Sequence, residues 1–422
     1  MGSVEHKNMP RLVMKFGGTS VGDVERIRRV ARLVAAERQS GRGIAVVVSA
    51  MSGETNRLVD LAQQAGQGLP PELFDDEYDV VVATGEQVTT GLLALALRGM
   101  GIPARSWQGW QIRVASSSTH GSARISDIDA DEVAAAIDAG EVAVIPGFQG
   151  VTEEDRITTL GRGGSDTSAV AVAAALKAER CDIYTDVDGV YTTDPRLVPK
   201  AQRLEKISYE EMLEMASLGA KVLQTRSVEL AMAKRVPVRV LSSFVEPGEA
   251  NPGTLVCDED EIVEKQIVSG IAYSRDEAKL SLKGLQDNPG VAADIFGRLA
   301  EANINVDMIV QAPSRTEGAV NMTFTVPERE ADRALALMSA AQQQIGFEQV
   351  EVKKDVSKVS VIGVGMRSHV GVARVMFDAL SRKGINIENI ATSEIKISVL
   401  IDSSYTELAV RALHTAYGLD AA

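Results

Sequence analysis

Through residues 11–242, short β-branched apolar runs alternate with longer alanine-rich runs. The short runs predict strands at 12–16, 44–49, 104–107, 142–146, 182–185 and 238–241. The longer runs predict helices at 24–37, 56–64, 75–98, 130–139, 165–177, 209–218 and 225–235. Because the strands are apolar throughout and are separated by helices, the pattern predicts an α/β fold whose mostly parallel sheet is covered by helices on both faces.

This alternation breaks at residues 243–266, which are rich in Pro, Gly and Asn and contain the acidic run at 258–261. Turn-forming residues followed by a run of like charges are typical of a connection between domains. We therefore predict a first domain at 11–245 and a linker at 246–266.

The remaining chain contains an internal repeat. Residues 290–309 and 371–390 are identical at eight of twenty positions without gaps, and the copies begin 81 residues apart. Each copy predicts an amphipathic helix followed by a strand, with further strands on either side, as in small ferredoxin-like α/β modules. We predict one module at 267–350 and a second at 351–422. An exchange of strands between the two modules is compatible with the pattern.

Composition narrows the classes of partner. The 422 residues carry a net charge of −14, which argues against nucleic acid, because phosphate backbones require basic surface. The two cysteines, Cys181 and Cys257, cannot form a disulfide framework and predict reduced thiols in a cytoplasmic protein. No run of 18 apolar residues is present, so we expect neither a membrane-spanning helix nor a membrane partner.

The first candidate site reads Lys-Phe-Gly-Gly-Thr-Ser at residues 15–20, directly after the apolar residues 12–14. Glycines allow the backbone to approach an anion closely and to point N–H groups at it. Lys15 adds a positive charge at the carboxyl end of a strand, where open α/β sheets bind ligands. The motif predicts a phosphate site, although the usual P-loop pattern is absent.

The second candidate site reads Leu-Gly-Arg-Gly-Gly-Ser-Asp-Thr-Ser at residues 160–168. Its Ser, Asp and Thr at 165–167 are good N-cap residues for the alanine-rich helix that follows. A helix N-terminus favours an anion, and Arg162 can bind a carboxylate or a phosphate with two parallel hydrogen bonds. A turn with an ordinary helix cap is the alternative interpretation.

Acidic residues suggest two further sites. The strand at 182–185 leads into a loop with Asp186, Asp188, Asp194 and Arg196, whose carboxylates could orient Mg²⁺ through its waters. An Asx-rich turn would have the same composition. Glu86 lies within an apolar helix pattern, where it could hold a substrate ammonium or simply face solvent.

His120, in the sequence Ser-Thr-His-Gly at 118–121, is interpreted as a structural loop residue. The other histidines have no Ser or Cys partner that would predict a triad.

Taken together, these motifs resemble the aspartate kinase family, which combines the amino-acid kinase fold with two ACT regulatory modules. The resemblance extends from residue 11 to about residue 420 and rests on several motifs in the family's order. They are Lys-Phe-Gly-Gly-Thr-Ser at 15–20, Ser-Ala-Met at 49–51, Thr-Gly-Glu at 84–86, the block from Gly-Phe-Gln-Gly at 147–150 to Gly-Arg-Gly-Gly-Ser-Asp at 161–166, and Tyr-Thr-Asp-Val-Asp-Gly-Val-Tyr at 184–191 with Asp-Pro-Arg at 194–196.

The resemblance implies phosphoryl transfer from ATP to the side-chain carboxylate of L-aspartate, with Mg²⁺ travelling with ATP and no direct protein ligand for the metal. This is the first step of lysine, threonine, methionine, isoleucine and diaminopimelate biosynthesis. Lys15 and Asp186 would be catalytic. The family's nucleotide site maps onto Lys15, Phe16, Gly17, Gly18, Thr185, Asp186, Tyr191, Arg196 and Lys221. Its aspartate site maps onto Ser49, Thr55, Glu86, Arg162, Gly163, Gly164 and Ser165.

The resemblance also implies feedback inhibition by lysine and threonine and assembly through the ACT modules into a homodimer or an α2β2 complex. The effector positions map onto Asp287, Asn305, Val306, Asp307, Gln311, Val372, Ala373, Asn386, Ile387, Ser393 and Glu394. Val370 stands where many relatives have proline and frees φ at that turn. Two alternatives stay open: a kinase for glutamate or N-acetylglutamate, and a non-catalytic amino-acid sensor.

Overall fold

The computed structural model describes residues 9–219, 222–262, 267–314, 316 and 318–420. These residues form two compact units. Within the described residues, the first unit comprises 9–190, 203–216 and 222–262, and the second comprises 191–202, 217–219 and the chain from 267 onward.

The first unit contains twelve strands and eight helices among its described residues. The strands are β1 (Arg11–Phe16), β2 (Gly43–Val48), β3 (Ala104–Ser106), β4 (Val114–Ser116), β5 (Ile125–Ile128), β6 (Val142–Pro146), β7 (Gln149–Val151), β8 (Ile157–Thr159), β9 (Arg180–Thr185), β10 (Lys206–Ser208), β11 (Val238–Ser242) and β12 (Thr254–Cys257). The helices are α1 (Val24–Gln39), α2 (Glu54–Ala65), α3 (Asp75–Val82), α4 (Thr84–Gly99), α5 (Asp131–Asp138), α6 (Gly164–Ala175), α7 (Tyr209–Ser217) and α8 (Thr225–Lys234).

Eight of these strands form one sheet in the order β10-β12-β11-β9-β1-β2-β6-β3. All its neighbouring strands run parallel except β11 and β12, which run antiparallel. The prediction of a mostly parallel sheet is confirmed, and all six predicted strands lie in it.

Side chains alternate across β1, so the strand serves both faces of the sheet. Leu12, Met14 and Phe16 are fully buried in a cluster with residues of α1 and α4. Lys15 has the opposite orientation, and its ammonium contacts Asp166 on α6. The period of two along β1 therefore places the candidate lysine beside α6.

The structure adds elements that the sequence patterns did not predict. Strands β4, β5, β7 and β8, each of three or four residues, form a separate sheet in the order β5-β4-β7-β8. Strand β12 lies inside the predicted linker at 246–266 and pairs with β11 and β10, so part of that stretch belongs to the sheet. The helix predicted at 75–98 is divided at Ala83 into α3 and α4.

Among the described residues, one helical stretch, Asp75–Gly99, is long and apolar enough to cross a membrane by length and composition alone. Half of its most apolar window is buried inside the protein. A helix buried in a protein core can have the same length and apolar composition, so this stretch is weak support for a membrane span.

The second unit is built on a six-stranded antiparallel sheet in the order β14-β15-β13-β16-β18-β17. Its strands are β13 (Gly270–Gln286), β14 (Asp307–Pro313), β15 (Ala319–Val326), β16 (Gln349–Ile362), β17 (Asn389–Thr392) and β18 (Lys396–Asp402). Its helices are α9 (Val291–Glu301), α10 (Ala331–Ile345), α11 (Val372–Arg382) and α12 (Thr406–Ala416).

The two repeats share the long strands β13 and β16. Residues 270–274 of β13 pair with 358–362 of β16, whereas residues 279–283 pair with 349–353. The two halves of β13 also enter different cores. Ile271, in its first half, packs with Val359 and Val361 of β16. Leu280, in its second half, packs with residues of α9 and α10. The module that ends the chain therefore takes its first strand from the region before the other module.

Candidate active site

Four neighbouring parallel strands of the first unit end at the same level. Register pairs join Phe16 to Val48 and to Tyr184, and Val48 to Pro146, at the carboxyl ends of β1, β2, β9 and β6. The segments that follow are tied together by backbone hydrogen bonds: Ser49 N–H donates to Phe16 O at 3.1 Å and Gly147 N–H donates to Val48 O at 2.9 Å. Ligands of open α/β sheets bind at this edge.

The predicted phosphate loop begins at the end of β1. The ring of Phe16 stacks on Tyr184 with centroids 4.5 Å apart, which fixes where the loop starts. A Cβ on Gly18 would lie 2.9 Å from the carbonyl oxygen of Ala50, so only glycine fits there without displacement. In the described part of the chain, the N–H groups of Gly18 and Thr19 donate to no backbone carbonyl. Such free N–H groups beside a lysine fit a phosphate.

Lys15 is only 8% exposed, and its Nζ lies 2.6 Å from Oδ1 of Asp166. The sequence pattern predicts Asp166 as part of a helix cap, and this prediction is wrong. The N-cap residue of α6 is Gly163, in a left-handed conformation with no side-chain cap. Because α6 begins at Gly164, Asp166 lies inside its first turn, and its carboxylate is directed to Lys15. The sequence alone does not show this contact, because it depends on where α6 begins.

The glycine-rich turn before α6 is shaped by close packing. A Cβ on Gly147 would lie 2.7 Å from both Cβ and Oγ of Ser165, so the bare backbone at 147 lets Ser165 approach the end of β6. Gly163 has a φ of +75°, and a Cβ there would lie 2.1 Å from Gln224. Arg162 is exposed, and the two glycines beside it in the chain, Gly161 and Gly163, are half-buried.

Glu86 lies in the first turn of α4 and is 3% exposed. Its Oε1 accepts a hydrogen bond from Ala50 N–H at 2.9 Å, while Oε2 has no partner among the described residues. Burial raises the pKa of Glu86 to about 7, an effect that the Ala50 hydrogen bond only partly opposes. A buried carboxylate with a free oxygen is suited to bind an ammonium group.

Ser49 and Thr55 are half-buried, at the end of β2 and in the first turn of α2. Thr185 ends β9, and its carbonyl accepts from Ser243 N–H at 2.8 Å. Asp186 is exposed, and its carboxylate accepts from the Thr185 hydroxyl at 3.1 Å. The carboxylate that contacts Lys15 is therefore that of Asp166, and the catalytic role of Asp186 stays a prediction.

Three predicted nucleotide residues are not part of the first unit's described residues. Tyr191 and Arg196 belong to the second unit, where segment 191–202 places Val198 and Ala201 in a buried core. Arg196 binds Asp194 with a closest N–O distance of 2.7 Å. Lys221 lies outside the described residues.

In the second unit, the predicted effector positions fall on helix starts and strand entries. Asp307, at the start of β14, contacts the buried Lys358, whose Nζ also lies 2.7 Å from Glu277. Burial alone would raise the pKa of Asp307, but the hydrogen bond and charge of Lys358 hold it below its usual value. The remaining predicted effector positions are mostly exposed or half-buried, except the buried Val372: Asp287, Asn305, Val306, Gln311, Val372, Ala373, Asn386, Ile387, Ser393 and Glu394.

Known proteins share this architecture. The profile of the amino acid kinase family matches residues 10–242, and that of the ACT domain matches residues 280–342 and 359–417. The chain is 55% identical to an aspartate kinase of Pseudomonas putida over 415 residues, 98% of either chain.

Two solved structures of E. coli aspartokinase III superpose on it. The R-state complex with aspartate and ADP has a TM-score of 0.79 at 28% identity, covering 96% of this chain and 99% of that chain. The T-state complex with lysine and aspartate has a TM-score of 0.75 at 29% identity, with the same coverage.

The chain therefore belongs to the amino acid kinase family and, within it, to the aspartate kinases. The predicted fold class, an amino-acid kinase fold followed by two ACT modules, is confirmed.

Proposed function

We propose that the protein transfers the γ-phosphoryl group of ATP to the side-chain carboxylate of L-aspartate, giving 4-phospho-L-aspartate and ADP. The contact between Lys15 and Asp166 carries this proposal, because it fixes an ammonium group at the sheet edge beside the glycine loop. The aspartokinase III of E. coli that superposes on this chain binds aspartate and ADP.

Glu86 and Arg162 recognise the two charged groups on the α-carbon of the amino acid. The free Oε2 of Glu86 accepts the α-ammonium, which replaces part of the hydration lost on burial. The exposed guanidinium of Arg162 binds the α-carboxylate with two hydrogen bonds. Ser49, Thr55 and the backbone from Gly163 to Ser165 line the rest of the aspartate pocket.

Lys15 stabilises the charge that spreads over the transferring phosphoryl group. The nucleophile is a carboxylate, which is already ionised at neutral pH, so no general base is required. Catalysis then depends on positioning and on charge stabilisation. The N–H group of Gly18 contributes a donor to the same phosphates, whereas that of Gly17 donates to the carbonyl of Tyr184 at 3.4 Å.

Thr185 and Asp186, at and just after the end of β9, belong to the nucleotide site of the first unit. The described residues contain no group of three or more His, Cys, Asp or Glu side chains suited to hold a metal ion. In this proposal the Mg²⁺ that ATP brings is bound mainly by the phosphates, with Asp186 as the exposed carboxylate available to its waters. When bound, the cation neutralises phosphate charge.

The ACT unit makes the enzyme responsive to lysine and threonine, and it assembles the chain as a homodimer or an α2β2 complex. The T-state structure of the E. coli relative contains lysine. An effector that binds one of two conformations more tightly shifts the population toward it. With its two buried free cysteines, the enzyme is expected in the cytoplasm, at the entry to lysine, threonine, methionine, isoleucine and diaminopimelate synthesis.

The test is ADP release by the full chain with aspartate, glutamate or N-acetylglutamate, each with and without lysine plus threonine. We expect turnover with aspartate alone among the three, reduced by the two effectors together. A matched preparation with Lys15→Met reports contaminating kinases. Turnover with glutamate in place of aspartate, or none with any substrate, would overturn the proposed activity.

A further inference from the structure

Asp79 on α3 is a fully buried carboxylate that the proposed site does not use. It accepts the N–H of Gly121 at 3.0 and 3.1 Å and the hydroxyl of Thr159 at 2.5 Å. Nδ1 of His120 lies 2.8 Å from its Oδ2. One carboxylate therefore joins α3, the loop between β4 and β5, and the end of β8.

The groups that Asp79 gathers adjoin the turn that carries Arg162. The carbonyl oxygen of Gly121 lies 3.1 Å from the position of a Cβ on Gly161, whose φ is +74°. The loop thus packs against a left-handed residue with no room for a side chain. Thr159 stands two residues before Gly161. Asp79 is therefore connected to this turn in two ways, through Gly121, which packs against Gly161, and through Thr159, which precedes it in the chain.

Arg226 on α8 holds the same two segments from another direction. Its Nη1 donates to the carbonyl of Leu160 at 2.7 Å and its Nη2 to the carbonyl of Ala123 at 2.6 Å. Leu160 immediately precedes Gly161, and Ala123 follows the loop residue Gly121. One planar guanidinium therefore fixes the distance between turn and loop.

We propose that Asp79 and Arg226 are positioning residues for aspartate recognition, acting by fixing the turn from which Arg162 reaches the substrate. The inference rests on the proposed role of Arg162. The side chain of Arg162 is exposed and has no ion-pair partner in the described ranges of the chain, so its placement depends on its backbone. Because a buried carboxylate stripped of its donors is unfavourable, Asp79 keeps loop, strand and turn in one arrangement.

Two neighbouring threonines on β8 provide the matched test. The hydroxyls of Thr158 and Thr159 are both buried, and each makes one side-chain hydrogen bond. Thr158 contacts Ser116 at 2.6 Å, and Thr159 contacts Asp79. Thr159→Val removes a donor to Asp79, whereas Thr158→Val removes a buried hydrogen bond between two hydroxyls that does not involve Asp79.

In the full chain, both valine variants should lower Tm, and Thr159→Val should lower it more because it leaves a buried carboxylate with one donor fewer. Thr159→Val should raise the KM for aspartate on the order of tenfold and leave the KM for ATP within about twofold. A small displacement of the turn that carries Arg162 weakens the binding of aspartate and leaves the nucleotide contacts in place. Thr158→Val should leave both KM values near wild type. Thr159→Ser, which keeps the hydroxyl, should restore the aspartate KM.

Arg162→Ala separates this inference from the proposal on which it rests. If Arg162→Ala raises the aspartate KM and Thr159→Val does not, the positioning role is overturned and the role of Arg162 stands. If Arg162→Ala has no effect, the recognition role itself fails. Should Thr159→Val fail to fold, Arg226→Lys replaces it, since a lysine keeps the charge but cannot reach both carbonyls. An unchanged aspartate KM in that variant would equally overturn the inference.

Discussion

The Nζ of Lys15 lies 2.6 Å from Oδ1 of Asp166, and each side chain is about nine-tenths buried, with 11% exposed. An ammonium on a flexible stem is thereby fixed before any nucleotide binds. Such preorganisation is what charge stabilisation in a transition state requires, because no group must then be reoriented during the reaction.

Replacement of Lys15 by methionine should lower kcat by roughly 10²–10³-fold, the range seen when one transition-state donor is lost. The variant also leaves Asp166 without its cation, so we expect a lower Tm. Steady-state ADP release and a thermal melt measure the two effects. A kcat within about threefold of wild type would contradict the role of Lys15 in stabilising the transferring group.

The variants Asp166→Asn and Asp186→Asn show which of the two carboxylates positions the ammonium group of Lys15. Asp166→Asn removes the charge that holds the ammonium, so kcat should fall by roughly 10²-fold. Asp186→Asn should act mainly on the KM for ATP, because that carboxylate is exposed and bonded to Thr185. The reverse pattern of kcat and KM would assign the Lys15-positioning role to Asp186.

Glu86→Gln should stabilise the protein at pH 8. The pKa of Glu86 is raised to about 7 from an ordinary value of 4.5, so the folded state is destabilised as pH rises between these values. The glutamine keeps an acceptor for Ala50 N–H but carries no charge, and should gain up to about 3 kcal/mol in unfolding free energy at pH 8. Urea unfolding from pH 5 to 8 measures the difference in unfolding free energy between the variant and the wild type, which should become smaller toward low pH.

The same variant should bind aspartate poorly at every pH. In the wild type, aspartate affinity should fall as pH drops through 7, because protonated Glu86 cannot pair with an ammonium. Equal pH profiles for the two proteins would contradict this role of Glu86.

Gly147→Ala should disturb the aspartate pocket, because its Cβ would lie 2.7 Å from Ser165. We expect a severalfold or larger rise in the KM for aspartate and a loss of about 1–3 kcal/mol in stability, as in other overpacked sites. Gly91→Ala is the matched control, since nothing lies within 4 Å of that Cβ and alanine favours a helix. A Gly147 variant that behaves like the Gly91 variant would show that Ser165 moves freely.

A fragment of residues 349–420 should fail to fold by itself. It lacks residues 270–274 of β13, which pair with β16, and it lacks Ile271 from the second core. A fragment of residues 267–420 retains both. Of the buried residues of this core it lacks only Val198 and Ala201 of segment 191–202, so it should unfold cooperatively but at a lower urea concentration than the full chain. Circular dichroism during urea titration compares them, and a cooperative transition in the shorter fragment would show that the module is self-sufficient.

Strands β1, β2, β6 and β11 of the large sheet were predictable because each is a mostly apolar run that is almost entirely buried. Short strands such as β4 and β8 were missed, since three residues carry no measurable periodicity. Strand β12 was missed because it is short and follows a stretch rich in turn-forming residues, and nothing in its sequence indicates its pairing with β11 and β10. The break at Ala83 was missed because α3 and α4 continue the same apolar pattern.

Some residues of the candidate site could be predicted from the sequence, and others could not. Lys15, Gly18 and Glu86 lie in motifs whose chemistry can be read locally. Asp166 could not be assigned to Lys15 from sequence, since the helix cap interpretation is equally good until the start of α6 is known. Asp79 and Arg226 have no motif at all, and their function depends on three-dimensional neighbours.

The shared strands also govern the order in which the regulatory unit can be completed during synthesis. Residues 270–274 leave the ribosome 84 to 92 residues before their partners at 358–362. At ordinary elongation rates this interval is on the order of 10 s, and residues 349–353, which complete the other module, are also made before these partners. Nascent chains of this enzyme therefore carry an unpaired strand segment for seconds, and slower translation there would prolong its exposure to wrong partners, including neighbouring nascent copies.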